Sequence, residues 1–98
     1  MTMIRKWFVL GALFAVLSNV AFARDIAVTE LPQSVVQSIE KKFPGAKVIE
    51  AEEEGEMGRV EGYEVKIRLQ DGKVMEIKLD QNGKILEQER EQEDNQNR

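Results

Sequence analysis

The clearest pattern in the chain is the alternation of its second half. From Gly62 to Leu69, apolar Tyr63, Val65, Ile67 and Leu69 are separated by Glu64, Lys66 and Arg68. From Lys73 to Leu79, Met75, Ile77 and Leu79 alternate with Glu76 and Lys78. Such alternation predicts two β-strands, each with one apolar and one charged face. Asp71-Gly72 joins them, and side-chain chemistry decides the register. A two-residue turn would set Ile67 against Glu76 and Val65 against Lys78. A three-residue turn over Gln70-Asp71-Gly72, with Gly72 left-handed, pairs Tyr63 with Leu79, Val65 with Ile77 and Ile67 with Met75. On the other face it pairs Glu64 with Lys78 and Lys66 with Glu76. A one-residue slip swaps faces, so the apolar and charge pairings together select the three-residue turn.

Upstream, the period changes. Leu31, Val35, Val36, Ile39 and Phe43 fall within an arc of roughly 140° at helical spacing. This predicts a helix over Leu31–Phe43, opened by Pro32 and stopped by Pro44-Gly45. Lys42 falls inside the apolar arc, where it can bury its stem and lift its charge to water. Lys47–Glu53 reads as a strand whose inward face is ambiguous, because Ile49 and Ala51 share one face and Val48 lies on the other. Glu54–Glu61 reads as a loop, punctuated by Gly55 and Gly58. Asp80-Gln81-Asn82-Gly83 is a hairpin turn into a weak last strand, Lys84 to about Glu89. From Arg90 the chain has no apolar residue and reads as a disordered tail over 90–98. Arg24–Glu30 shows no clear period. The predicted fold is α+β: one N-terminal helix packed on a four-stranded antiparallel meander.

The N-terminal segment reads differently. Arg5 and Lys6 precede an apolar run, Trp7–Leu17, and a more polar stretch ends in Ala21-Phe22-Ala23. This is the pattern of a cleavable secretory leader, cut after Ala23. The apolar run is short of the about 20 residues a spanning helix needs. No cysteine follows it, which excludes a lipid-anchored lipoprotein. The predicted mature chain is 24–98, with a domain over 24–89, outside the cytoplasm: periplasmic or secreted, without stable membrane insertion after cleavage.

Composition then narrows the chemistry. Residues 1–23 hold two of the 14 Lys and Arg and none of the 18 Asp and Glu, so the mature charge is 12 − 18 = −6. That argues against nucleic acid and anionic membrane surfaces, which call for basic patches. The chain has no Cys and no His. A thiol nucleophile and an imidazole base are therefore excluded, and a packed core alone must hold a small exported domain. Ser34 and Ser38 lie four apart on the helix without an evident base. The chain is read as a non-enzyme with no cofactor. Glu50, Glu52, Glu53, Glu54 and Glu56 form an acidic run, but without the spaced Asp/Asn/Gly ligands of a dedicated calcium loop. Edge-strand charge explains it better, so no metal site is assigned and weak calcium binding stays an alternative.

The order of turns and strands resembles the PepSY domain family, including its beta-lactamase-inhibitor-like branch. The matching residues are Leu31-Pro32, Phe43-Pro44-Gly45-Ala46, Glu50-Ala51-Glu52, Tyr63-Glu64-Val65, Asp71-Gly72-Lys73 and Asp80-Gln81-Asn82-Gly83-Lys84. The match spans roughly residues 30–89, and no single motif in it is specific. The resemblance implies an extracytoplasmic helix-on-sheet domain that modulates or inhibits a peptidase, or another envelope or secreted protein, by contact. It supplies no catalytic residue. Two surfaces are candidates for binding: the charged sheet face, with Glu64, Lys66, Arg68, Glu76 and Lys78, and the Glu54–Glu61 loop, with Met57 and Arg59. An ordinary solvated surface explains each of them as well. The alternative class is a self-associating envelope protein, a homodimer paired through the last strand.

Overall fold

The computed structural model describes residues 20–91. Five strands form one sheet: β1 (Ala21–Ile26), β2 (Lys47–Glu56), β3 (Arg59–Arg68), β4 (Val74–Asp80) and β5 (Ile85–Arg90). They lie in chain order, each antiparallel to its neighbours. A 3-10 turn (Val28–Glu30) and one helix, α1 (Gln33–Lys42), stand between β1 and β2. The α+β class with a helix against an antiparallel meander is therefore as expected, but the sheet has five strands rather than four, and the helix is not N-terminal to the sheet: it follows β1.

The added strand is β1. Its four exposed residues and half-buried Phe22 and Ile26 carry little periodic signal of their own, since Ala21 and Ala23 are small and exposed. It becomes a strand because β2 is long enough to receive it, pairing Ala21 with Glu56 through to Ile26 with Ala51. The sequence pattern of a leader cleavage site falls on its first three residues. The rest of the predicted leader, through residue 19, lies outside the described residues.

The second difference is at Glu54–Glu61. No loop exists there; β2 runs to Glu56 and β3 starts at Arg59. Met57 and Gly58 make a two-residue turn, with φ of 52° and 76°. Two successive positive φ values give the turn twist that suits a tight hairpin. The bulge between Glu54 and Gly55 absorbs the extra residue, Glu61. A second bulge, between Val48 and Glu50, resolves the ambiguous face of β2. It places Val48 opposite Ile67 and Ala51 opposite Val65, so both sit on the core side.

The β3–β4 hairpin has the register that side-chain pairing demands. Tyr63 faces Leu79, Val65 faces Ile77 and Ile67 faces Met75. Leu69 N–H donates to the Lys73 carbonyl at 2.8 Å across the three-residue turn, and Gly72 has φ 92°. The β4–β5 turn repeats the device: Asp80 N–H donates to the Lys84 carbonyl at 3.0 Å, and the Asp80 carboxylate accepts from Asn82 and Lys84 N–H.

The core lies between α1 and one face of the sheet. Val35 and Ile39 of α1 and Leu31 just before it meet Ala51, Tyr63, Val65, Ile67, Ile77 and Leu79. Six of these side chains are sealed from water: Val35, Ile39, Val65, Ile67, Ile77 and Leu79. Each contributes about 1.5–3 kcal/mol of burial, which matters in a domain without disulfides. Pro32 caps α1 rather than opening its first turn, and its carbonyl accepts from Val35 and Val36 N–H. Lys42 is exposed, as an end-of-helix lysine should be. The start of α1 is tied to the β4–β5 turn: the Ser34 hydroxyl donates to the Gln81 carbonyl at 2.8 Å. Gly83, buried and at φ 89°, lies so close beneath that a Cβ there would collide with the Ser34 carbonyl.

Candidate functional site

The helix covers one face of the sheet and leaves the other open. Alternation fixes which side chains stand on the open face. From β3 and β4 these are Glu64, Lys66, Arg68, Val74, Glu76 and Lys78. The structure thus brings together the five charged residues that the sequence nominated on this face. It adds what the sequence left apart. Register places Glu50, Glu52 and Glu54 of β2 beside β3, opposite Lys66, Glu64 and Gly62. Asp25 of β1 lies opposite Glu52, and Glu87 and Glu89 of β5 lie opposite Lys78 and Glu76. Glu91, just past β5, reaches Lys66. The face therefore carries nine carboxylates, Asp25 and Glu50, 52, 54, 64, 76, 87, 89 and 91, against four cations, Lys47, Lys66, Arg68 and Lys78. Each strand shows its own acidic alternation, so the signal was available once the bulge in β2 was placed.

The ion pairs on this face are loose. Lys66 lies 3.7 Å from Glu50 and 3.4 Å from Glu91, and Lys78 lies 3.8 Å from Glu54 and 3.9 Å from Glu87. Two ammonium groups cannot neutralise the carboxylates around them. The result is a field that resists ionisation. Partial burial raises the Glu52 carboxyl above its usual range, and the charges of Glu64 and Asp25 push it further. A hydrogen bond shared with Glu54 raises Glu64, with desolvation adding to it. Glu76 is raised by its hydrogen bond to Glu64 and by burial. For Lys66, burial opposes the charge, but Glu50 and Glu91 outweigh it and the ammonium is held more firmly.

Carboxylate oxygens of Glu52, Glu54 and Glu64 all lie within 4.8 Å of one another. This triad, with Glu76 beside it, can share a proton, accept donors from a cationic group or chelate a hard cation. Exposed carboxylates in such groups commonly hold none. At one end the face becomes apolar. A trough of about 590 Å³ opens there, walled by Ala21, Ala23, Gly62 and Leu86 and flanked by Glu54 and Lys78. Leu86 is 59% exposed.

Met57 and Arg59 do not join this face. They sit at the tip of the β2–β3 hairpin, with Met57 71% exposed and its N–H donating to the Val20 carbonyl at 2.9 Å. Arg59 lies opposite Glu56. Ser34 and Ser38 stay on α1, and the Ser34 hydroxyl is committed to the Gln81 carbonyl. Among the described residues no helix is long and apolar enough to cross a membrane.

Comparison with protein-family models, with curated proteins and with solved structures gives no match. The PepSY resemblance accordingly rests on the motif order quoted above.

Proposed function

We propose that the chain is a secreted or periplasmic protein-binding module whose open sheet face receives a cationic segment of another envelope or secreted protein. A peptidase is the partner class that the PepSY resemblance implies. The observation that carries this reading is the charge imbalance of the open face: nine carboxylates against four cations, with the Glu52, Glu64 and Glu76 carboxyls raised above their usual range by burial, shared hydrogen bonds and neighbouring carboxylates. A basic segment laid across β2–β4 would replace that missing charge. Complementary charge of this kind gives orientation and a fast encounter more than raw affinity.

Crosslinking in the native envelope tests the proposal if it is done in parallel with a charge-reversed chain. Glu52→Lys and Glu89→Lys are suited to this, because each faces like charge and should fold at least as well as the parent. The expected result is a partner crosslinked by the parent and lost with the double variant at unchanged melting temperature. Identical crosslinks from both chains would rule out the open face.

A further inference from the structure

The leader cleavage site and the fold compete for the same three residues. Ala21, Phe22 and Ala23 match the recognition pattern for cutting after Ala23, and the same residues form the first half of β1. They pair with Glu56, Gly55 and Glu54. Phe22 lies over Gly55, where an added Cβ would stand 3.0 Å from its ring. The Arg24 guanidinium sits 5.7 Å from the ring centre. Cutting the Ala23–Arg24 bond consumes one water and leaves a carboxylate on Ala23 and an ammonium on Arg24. Arg24 stays in place, because Asp25 and Ile26 still pair with β2 and its guanidinium donates to Glu53 at 3.2 and 2.5 Å. The mature chain therefore carries half a strand, followed by a bare β2 edge over Glu54–Glu56. A glycine lies at the centre of that edge and an ammonium at its inner end.

We propose that this vacated edge is a binding site for a polypeptide C-terminus ending in small–aromatic–small residues. The occupant adds as an antiparallel strand. Its aromatic ring takes the place of Phe22 over Gly55, and its terminal carboxylate meets the Arg24 ammonium. Edge addition supplies main-chain hydrogen bonds, alternate side-chain seats supply selectivity, and capture of a free carboxylate fixes the end of the strand. The chain's own Ala21–Ala23 shows which side chains fit. Cleaved export leaders end in small-x-small carboxylates, so they are the chemical class that matches. The site is the backbone edge of β2 and shares only Glu54 with the acidic open face, so the peptide titration and the charge reversals at Glu52 and Glu89 can fail separately.

The inference rests on cleavage after Ala23, and N-terminal sequencing of the exported protein checks that premise; a start other than Arg24 overturns it. The binding test titrates the acetylated peptide VAFA, with a free carboxylate, into the exported protein. Expected are saturable binding and slowed hydrogen exchange at Gly55 and Met57, the amides that face β1; the Met57 N–H meets the Val20 carbonyl when β1 is intact. Amidation of the peptide, or the sequence VAAA, should weaken binding at least tenfold. A chain starting at Val20, whose own strand fills the edge, should bind at least tenfold more weakly. The proposal is overturned by no binding at millimolar peptide, by equal binding of the amide, or by equal binding to the longer chain. A dimer that buries this edge, or an exported chain that does not fold, would overturn it too.

Discussion

Glu64→Gln should stabilise the domain at neutral pH, although it removes a charged residue from a strand pair. Glu64 stands opposite Glu52 on β2 and opposite Lys78 on β4. It shares hydrogen bonds with Glu54 and Glu76. One cation and three carboxylates thus compete at this position. Like charges placed opposite each other on a sheet cost roughly 0.2–1 kcal/mol, and an exposed ion pair contributes about as much. Repulsion outnumbers attraction, so the net gain from neutralising Glu64 is about 0.5–1 kcal/mol after allowance for its solvent exposure. In a domain of this size that is a rise in melting temperature of roughly 2–8 °C. The pH dependence follows from the direction of the shift. A carboxyl raised in the folded state holds more protons folded than unfolded, so its contribution is favourable below the unfolded value of 4.5 and is lost as pH rises through the folded value. The parent should therefore gain stability as pH falls from 7 towards 4.5, and the variant should gain less. Thermal melts of both chains at pH 7 and 4.5, in low salt and about 1 M NaCl, measure it. The advantage of the variant should shrink at low pH and at high salt, where the Debye length is about 3 Å. An advantage at pH 7 that persists undiminished at pH 4.5 would refute the electrostatic account, and so would none at all.

Two further outcomes test the turns and the carboxylate triad. Gly72 and Gly83 share nearly the same φ, 92° and 89°, but only Gly83 is pressed against α1. Gly72→Ala should cost about 1–2 kcal/mol, the price of a left-handed residue, whereas Gly83→Ala should cost distinctly more in urea denaturation because the Ser34 carbonyl must move; equal losses would mean that the helix–turn contact is not tight. Calcium at about 5 mM should raise the melting temperature no more than magnesium at equal ionic strength, since Glu52, Glu54 and Glu64 supply acceptors without the six to eight oxygens of a calcium cage. A calcium-specific rise of several degrees, abolished by Glu64→Gln, would establish a site.

The sheet centre was legible in the sequence because two independent criteria agreed there. Alternation in Tyr63–Leu69 and Met75–Leu79 fixed the faces, and cross-strand charge fixed the register. The structure has both. The tip of the β2–β3 hairpin was not legible for a local reason. A Met-Gly turn with both residues at positive φ departs from the Asn-Gly and Asp-Gly signals of such turns, and two bulges break the period-two rule on either side of Ala51. The candidate face was half legible. Its β3 and β4 residues could be named, while Glu50, Glu52 and Glu54 looked like a separate acidic run. They join the face only because Ile49 bulges and restores Ala51 to the core side.

The strand that sequence reasoning did not anticipate is also the one whose sequence has two uses. Small residues at Ala21 and Ala23 suit a leader peptidase, and they also suit an exposed edge position where bulk is not needed. Phe22 suits a position between them in either role, and in the fold its ring lies beside Gly55, where the Arg59 carbonyl already excludes a Cβ. Arg24 follows with a firm contact to Glu53, which is only 20% exposed. On the proposed cut after Ala23, Arg24 would stand at the new terminus, and strand area would be lost without releasing what remains of β1. An acidic sheet with an edge opened in this way would be prone to uncontrolled strand addition if the edge were flat and apolar. Glu53, Glu54 and Glu56 make it charged, and Gly55 between the last two takes the Phe22 ring alongside it. Charge along the edge thus disfavours pairing with a second acidic copy, while the lone glycine and the Arg24 ammonium leave room for a short strand that ends in a carboxylate.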